Sequence, residues 1–177
     1  GINMEFRTDR IYLYPISELD TEMVIQWRNS EFVKQYFIYR DEITFEDHKK
    51  WLDQKVKTGK VVQFIICACE DNKPVGSVYI QNVDLVHKNA EYGIFLGEEN
   101  TVGKGYGTDA ARLVIKYAFE ELGLHKLYLR VLSDNERAIR SYMRAGFEVE
   151  GIMHDEVFAD GHFLDVTRMA IIAEVKE

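Results

Sequence analysis

The most informative feature of this sequence is a glycine-rich segment that leads into a long, regularly patterned helix. Gly103, Gly105 and Gly107 alternate between a strand-like stretch and a helical one. Glycines allow positive φ values and let the backbone approach a ligand closely. The first turn of a helix also presents unpaired N–H groups and the positive end of its dipole. The segment therefore predicts a phosphate-binding site, to which Lys104 could add a charge.

The segment matches neither of two common nucleotide-binding patterns. In the P-loop pattern counted from Gly97, the second glycine would fall on Val102, and Gly105 follows Lys104 where Ser or Thr is needed. The dinucleotide-binding pattern would need a glycine at Thr108, and it belongs to the first strand of its sheet. We therefore expect another phosphate-bearing ligand, with a flexible turn as the alternative.

Hydrophobic periodicity predicts a chain of the α/β (α+β) class. Helices are predicted at 19–27, 44–57, 108–122 and 134–145, and the third is the clearest because its apolar residues keep the helical period. Strands are predicted at 10–14, 61–69, 75–80, 91–96, 126–132, 148–158 and 163–172. The order β-α-α-β-β-β-α-β-α-β-β indicates a mixed sheet of about seven strands flanked by helices.

The composition indicates a folded chain and disfavours two classes of partner. The 177 residues are 46% apolar and 29% charged, which suits one domain over 4–177, with 1–3 as a cloning remnant. No apolar run reaches the roughly 18 residues of a membrane span. The net charge of −8 disfavours nucleic acid and favours a cationic small molecule such as an amine.

Neither cysteine nor histidine shows the spacing of a metal site. Cys67 and Cys69 lie two apart in an apolar run, which is typical of core residues in a reducing cytoplasm. The histidines are dispersed, at His48, His87, His125, His154 and His162. We therefore expect no metal, a cytoplasmic location and surface histidines, with His87 as a candidate for the border of the site because it precedes strand 91–96.

A second motif lies in the predicted helix 134–145 and the residues that follow it. Residues 135–147 read Asn-x-x-Ala-x-x-x-Tyr-x-x-x-Gly-Phe. Together with the glycine loop and the strand order, this motif resembles the GNAT N-acetyltransferase family, whose loop reads Gln/Arg-x-x-Gly-x-Gly/Ala. Gly105 and Gly107 match the small residues of that loop, whereas Val102 departs from the usual Gln or Arg. The resemblance covers 10–172 and implies an acyltransferase that uses acetyl-CoA.

The resemblance also implies where coenzyme A would bind. In the family, two strands separate to admit the pantetheine arm, and here these would be 91–96 and 126–132. Backbone groups near Phe95 and Leu96 would pair with the arm, and Asn135 would hydrogen-bond its amide. The diphosphate would lie on Val102, Gly103, Lys104, Gly105, Tyr106, Gly107 and Thr108.

Transfer to an amine requires proton movements at two atoms. The attacking amine must lose a proton, and the departing thiolate benefits from an acid. Tyr142, at the family's tyrosine position, is the candidate acid, and a packed core tyrosine is the alternative. Glu91, in mid-strand, is the candidate base acting through a water; a salt bridge or contact with the cationic amine are the alternatives. The N–H groups of strand 91–96 would stabilise the oxyanion.

The amine itself is less defined. Trp27, Arg28 and Asn29 are candidate substrate residues, and Arg28 could bind a phosphate or carboxylate bidentately, unless it is a surface arginine near a core tryptophan. With 43–52, they resemble the branch that acetylates nucleotide-linked amino sugars, whereas the C-terminal half resembles spermidine and ribosomal-protein N-acetyltransferases. We rank the amino sugar first, then a polyamine, then a protein N terminus. A non-catalytic acyl-CoA sensor is the alternative class, and the family's habit suggests a homodimer.

Overall fold

The strands in this computed structural model, which describes residues 6–174, lie in one mixed sheet. They are β1 (Ile11–Pro15), β2 (Val62–Ala68), β3 (Pro74–Asp84), β4 (Asn89–Leu96), β5 (Lys126–Leu132), β6 (Glu148–Ala159) and β7 (His162–Ile172). Their order across the sheet is β1-β2-β3-β4-β5-β7-β6. Within residues 6–174, β4 and β5 are the only parallel neighbours. The predicted mixed sheet of seven strands is confirmed.

Between residues 6 and 174, five α-helices flank the sheet. They are α1 (Thr21–Asn29), α2 (Glu31–Lys34), α3 (Phe45–Trp51), α4 (Tyr106–Glu120) and α5 (Glu136–Ala145). A π-helical turn extends α3 over Leu52–Val56, so the helix predicted at 44–57 changes its winding near its middle. Thr44 and Asp47 form the capping box that begins α3. The sequence did not predict α2, because four residues are too few to show a helical period.

The apolar residues of the strands divide between the two faces of the sheet. Helices α4 and α5 cover one face, where Phe64 and Ile66 of β2 are buried. Helices α1, α2 and α3 cover the other face, where Ile65 and Cys67 are buried. This alternation explains why β2 is an almost uninterrupted apolar run, since a strand covered on both sides needs apolar residues at every position.

The two parallel strands separate partway along their length. Asn89, Ala90 and Glu91 of β4 pair with Lys126, Leu127 and Tyr128 of β5, and no pairing follows. The backbone of 92–96 therefore has no strand partner on its β5 side. The predicted separation of strands 91–96 and 126–132 is present. The gap opens toward the C-terminal ends of β4 and β5, after which the chain enters α4 and α5.

The predicted limits of the domain remain predictions, because residues 1–3 lie outside the described part of the chain. Within that part, no helix is both long enough and apolar enough to span a membrane.

Candidate active site

The glycine loop adopts the conformation that its sequence requires. Gly103 and Gly105 have φ values of 84° and 85°, in the left-handed region that favours glycine. Gly105 is the N-cap of α4, and no side chain caps this helix. A Cβ at Gly103 would meet nothing within 4 Å, so space remains beside the backbone. The loop therefore presents uncapped amides at a helix N-terminus, which fits a bound diphosphate.

A buried carboxylate lies in the first turn of the same helix. Asp109 is only 4% exposed. Its oxygens accept hydrogen bonds from Arg10 Nε at 3.1 Å, Arg10 Nη2 at 2.9 Å and Thr8 Oγ1 at 2.7 Å. The guanidinium of Arg10 also lies against Gly105, where an added Cβ would come within 2.6 Å of Nη1. Arg10 thus compensates the negative charge beside the loop and supports the loop from outside.

One cavity of about 890 Å³ connects the loop, the gap between β4 and β5, and the α1–α3 side of the sheet. This volume is typical of a site for a sizeable small molecule. It is lined by most of the predicted cofactor residues, namely Phe95, Leu96, Val102, Gly103, Gly105, Tyr106, Gly107, Thr108 and Asn135. Lys104 is exposed and does not line it.

Asn135 caps a helix and also lines the cavity. It is the N-cap of α5, and its Oδ1 accepts a hydrogen bond from the N–H of Ala138 at 3.3 Å. Its side-chain NH₂ has no hydrogen-bond partner among residues 6–174. That amide group therefore remains available to a ligand in the gap.

Tyr142 is packed among aromatic rings and also forms part of the cavity wall. Its ring packs against Tyr92 and Phe147, with centroids 6.1 and 6.0 Å away. It also lines the cavity, and no described residue hydrogen-bonds its hydroxyl. Burial, reinforced by Tyr79, raises the pKa of Tyr142 well above the ordinary tyrosine value. The hydroxyl therefore stays protonated at neutral pH, as a proton donor must.

Glu91 lies at the point where the two strands separate. It is 5% exposed, and its Oε2 is 2.8 Å from Arg130 Nε of β5. Its Oε1 accepts a hydrogen bond from Asn82 Nδ2 at 3.0 Å. The salt bridge that the sequence left open is therefore present, and it ties β4 to β5 at the base of the gap. Both partners also line the cavity.

The structure brings only one of the four predicted substrate residues to the cavity. Arg28 lines it. Trp27 is buried in the core and its Nε1 donates to Glu98 Oε1 at 3.0 Å. Asn29 exchanges two hydrogen bonds of 2.8 Å with the backbone of Ile43. His87 is exposed in the β3–β4 turn and does not line the cavity.

Several lining residues were missed from the sequence. His48, expected at the surface, is only 5% exposed, because it lies on the inner side of α3. The other missed residues come from elements far apart in sequence and include Asp41, Glu42, Asp47, Tyr79, Gln81, Arg130, Arg137 and Arg144. Residues 35–43 carry no periodic signal, so only the acidic run Asp41-Glu42 could have drawn attention to this wall.

Among residues 6–174, no group of three or more His, Cys, Asp or Glu side chains is arranged to hold a metal ion. The groups that gather at the cavity are instead the Tyr142 hydroxyl, the Glu91–Arg130 ion pair and the uncapped main-chain amides of the glycine loop. Such a set can bind phosphate, hold a polar ligand and donate a proton.

Comparison with known proteins agrees with this arrangement. The sequence model described as "Acetyltransferase (GNAT) domain" matches residues 10–148. Spermidine N(1)-acetyltransferase of Escherichia coli (strain K12) is 33% identical over 161 residues, covering 91% of this chain and 85% of that protein. Acetyltransferase PseH of Campylobacter jejuni is 28% identical over 134 residues, covering 76% and 80%.

A solved structure shows the same fold. Spermidine N-acetyltransferase from Vibrio cholerae, in complex with CoA and spermine, superposes with a TM-score of 0.86 at 24% identity. The match covers 93% of this chain and 96% of that one.

Proposed function

Because the chain belongs to the GNAT acetyltransferase family, we propose that it transfers the acetyl group of acetyl-CoA to a primary amine of a small molecule. The observation that carries this proposal is the gap between β4 and β5, which opens beside the glycine loop. An unpaired strand edge lines one side of the gap, and Tyr142 lies in the wall of the same cavity.

The loop and the gap suit the two ends of coenzyme A. The uncapped amides of 103–108 can hold the diphosphate, and Arg137 and Arg144 of α5 add positive charge in the same cavity. The free edge of 92–96 can pair with the pantetheine arm as a strand would, and the Asn135 side chain can donate to it. When bound, the coenzyme supplies the activated acetyl group as a thioester.

The chemistry needs one bond to form and one to break. The amine nitrogen bonds to the acetyl carbon, the carbon–sulfur bond breaks, the amine gives up a proton and the sulfur gains one. Tyr142 is the proposed donor to sulfur, since its hydroxyl is protonated and has no described partner. Glu91 retains lone pairs beside its bonds to Arg130 and Asn82, so it can still orient a water or the ammonium group.

Two classes of acceptor are supported by different observations. The relatives named spermidine acetyltransferases favour a polyamine, which reverses the order that we gave from the sequence. The carboxylates of Asp41, Glu42 and Asp47 at the cavity also suit a cationic chain. A nucleotide-linked amino sugar, which carries phosphate as well as an amine, is favoured by Arg28.

An acceptor screen tests the proposal. Purified protein is incubated with acetyl-CoA and spermidine, a UDP-linked amino sugar or a peptide with a free N terminus, and the release of CoA thiol is measured. We expect release to depend on one of the small amines and acetylated product to accumulate in equal amount. Binding of CoA without release with any amine would indicate the non-catalytic acyl-CoA sensor instead.

A homodimer and a cytoplasmic location belong to the same proposal. The dimer is common in the family, whereas the cytoplasmic location rests on the two free cysteines, Cys67 and Cys69. Light scattering across a range of protein concentrations tests the dimer.

A further inference from the structure

Arg28 forms part of the cavity wall on the acceptor side of the sheet. Its guanidinium carbon lies 4.0 Å from the centroid of the Phe37 ring and 5.9 Å from that of Phe95. No carboxylate of residues 6–174 lies within salt-bridge distance of it, and no described acceptor hydrogen-bonds it. Burial lowers its pKa, opposed only by nearby Tyr79. A guanidinium is nevertheless always charged, so this wall holds an uncompensated cation.

The Phe37 ring covers one face of the guanidinium but offers no hydrogen-bond acceptor to the N–H groups at its edge. The five N–H donors of arginine lie in the plane of the group, where an aromatic ring stacked above cannot accept them. Arg28 is only partly buried, so its edge is open to the cavity, and no described residue accepts a hydrogen bond from it. The edge of Arg28 therefore has donors for a ligand that the protein itself does not satisfy.

His48 lies on the same cavity wall as Arg28 but adds no positive charge to it. The residue is 95% buried, and its Nε2, which the surrounding protein covers, has no hydrogen-bond partner. Burial, and then the proximity of Arg28, lowers the pKa of His48, so its ring is neutral near pH 7. The positive charge at this part of the wall is therefore that of Arg28.

The nearby carboxylates are already engaged elsewhere. Asp20 accepts hydrogen bonds from the Tyr14 hydroxyl and the Ser17 N–H. Asp47 accepts the Thr44 N–H in the capping box. Glu91 is paired with Arg130. None of them lies within salt-bridge distance of Arg28, and neither do Asp41 and Glu42, the exposed carboxylates of the same cavity, so a ligand anion would not displace an existing ion pair.

We infer that Arg28 binds an anionic group, phosphate or carboxylate, carried by the same molecule as the acceptor amine. Phe95 connects this subsite to the reaction, because its ring faces Arg28 while its strand edge lines the gap proposed for the coenzyme. The inference rests on the proposed acetyl transfer and chooses among its acceptors. An amine with an anion on the acceptor side of β4 is preferred to a polyamine, which carries only positive charge.

Matched acceptors test this preference directly. Phosphoethanolamine is compared with ethanolamine, and lysine with cadaverine, so that each pair differs by a phosphate or a carboxylate alone. We expect kcat/KM to favour the anionic member of at least one pair, and the pair that responds identifies the anion. Arg28→Gln should reduce that preference by about tenfold to hundredfold, the range expected on losing a charge-assisted pair. Arg28→Lys should retain part of it, and Lys49→Gln, on the exposed face of α3, should retain all of it.

Inhibition by pyrophosphate provides a second readout with whichever amine the enzyme accepts best. Pyrophosphate should inhibit competitively against the amine, and Arg28→Gln should relieve this inhibition about tenfold or more. Sodium chloride at the same ionic strength controls for screening. Thermal melts of the variants establish that they fold before the kinetics are compared.

Several results would overturn the inference. These are a higher kcat/KM for spermidine than for every anionic amine, inhibition that is competitive with acetyl-CoA alone, or equal inhibition of wild type and folded Arg28→Gln. Failure of the proposed function has a different signature, since calorimetry would then detect no CoA binding, or no amine at all would be acetylated.

Discussion

The hydroxyl of Tyr142 is held protonated by burial in a cavity wall where no described residue accepts its proton. For a phenol whose pKa is raised, the protonated form persists below that pKa and is lost only as the pH rises through it. The proton of Tyr142 should therefore be retained to beyond pH ~10, the ordinary tyrosine value. A packed tyrosine and a general acid share this property, so the acid role is tested by removing the hydroxyl.

Tyr142→Phe should lower kcat by about a hundredfold, because the proton donor is removed while the ring and its packing remain. The affinity for CoA should be nearly unchanged. Steady-state kinetics and calorimetry measure the two quantities, and the pH–rate profile of the wild type should show no decline assignable to this tyrosine below pH ~10. An unchanged kcat in the variant would leave Tyr142 with a packing role alone.

Glu91 poses a different question, because its carboxylate is both buried and paired. Glu91→Gln should destabilise the fold by roughly 1–3 kcal/mol, since Arg130 loses its charged partner. Loss of activity in this variant alone would not distinguish catalysis from structure.

The double variant Glu91→Gln with Arg130→Gln resolves this ambiguity, because it removes both charges together. We expect stability to recover in chemical denaturation while kcat/KM stays low, as a direct role for the carboxylate requires. Recovery of kcat/KM together with stability would mean that Glu91 only stabilises the contact between β4 and β5.

At the scale of the elements, two glycines that both have positive φ allow the role of the glycine loop to be tested against a control. Gly105 and Gly123 both have positive φ, 85° and 66°, at opposite ends of α4. A Cβ at Gly123 would meet nothing within 4 Å, whereas one at Gly105 would meet Arg10. Alanine at either position should cost about 1–2 kcal/mol of stability.

Gly105→Ala should in addition weaken CoA binding, because the turn that presents the amides must shift. Gly123→Ala should bind CoA as the wild type does. Calorimetric titration of both variants checks this, and equal CoA affinities in the two would mean that the turn at Gly105 is not part of the binding site.

The elements that could be predicted from the sequence are those whose signal is local. The period of 108–122 and the turn residues of the last hairpin predicted α4, β6 and β7 closely. Helix α2 and the π-helical turn after α3 were missed, because four residues show no period and a change of winding leaves no pattern. Separation of β4 from β5 came from the resemblance to the family rather than from residue patterns.

The candidate site could be predicted only where its residues carry a local signal or match the family. The glycine loop was predicted from its local pattern and Glu91 from its place in mid-strand, whereas Tyr142 came from the resemblance to the family. The partners of Glu91 on β3 and β5, and the approach of Arg10 to Asp109, depend on how distant elements pack. His48 was misjudged for this reason, because the inner side of α3 is defined only once α3 packs on the sheet.

At the scale of the whole molecule, the pairing of the central strand β4 differs between its two neighbours. β4 is paired with β3 along most of its length and with β5 only at its start. The helices that follow β4 and β5 begin at the open end, and they bring their N-terminal turns to one cavity. The proposed coenzyme site therefore follows from the topology, and α1–α3 contribute the wall proposed for the acceptor.

The proposed function depends above all on the main-chain amides at the start of α4, which would hold the diphosphate of coenzyme A. A crystal structure of the protein grown with CoA would reveal whether they do. We expect diphosphate oxygens about 2.7–3.2 Å from N–H groups of 103–108, with the pantetheine arm between β4 and β5. Coenzyme A bound elsewhere, with the loop and the gap left empty, would contradict it.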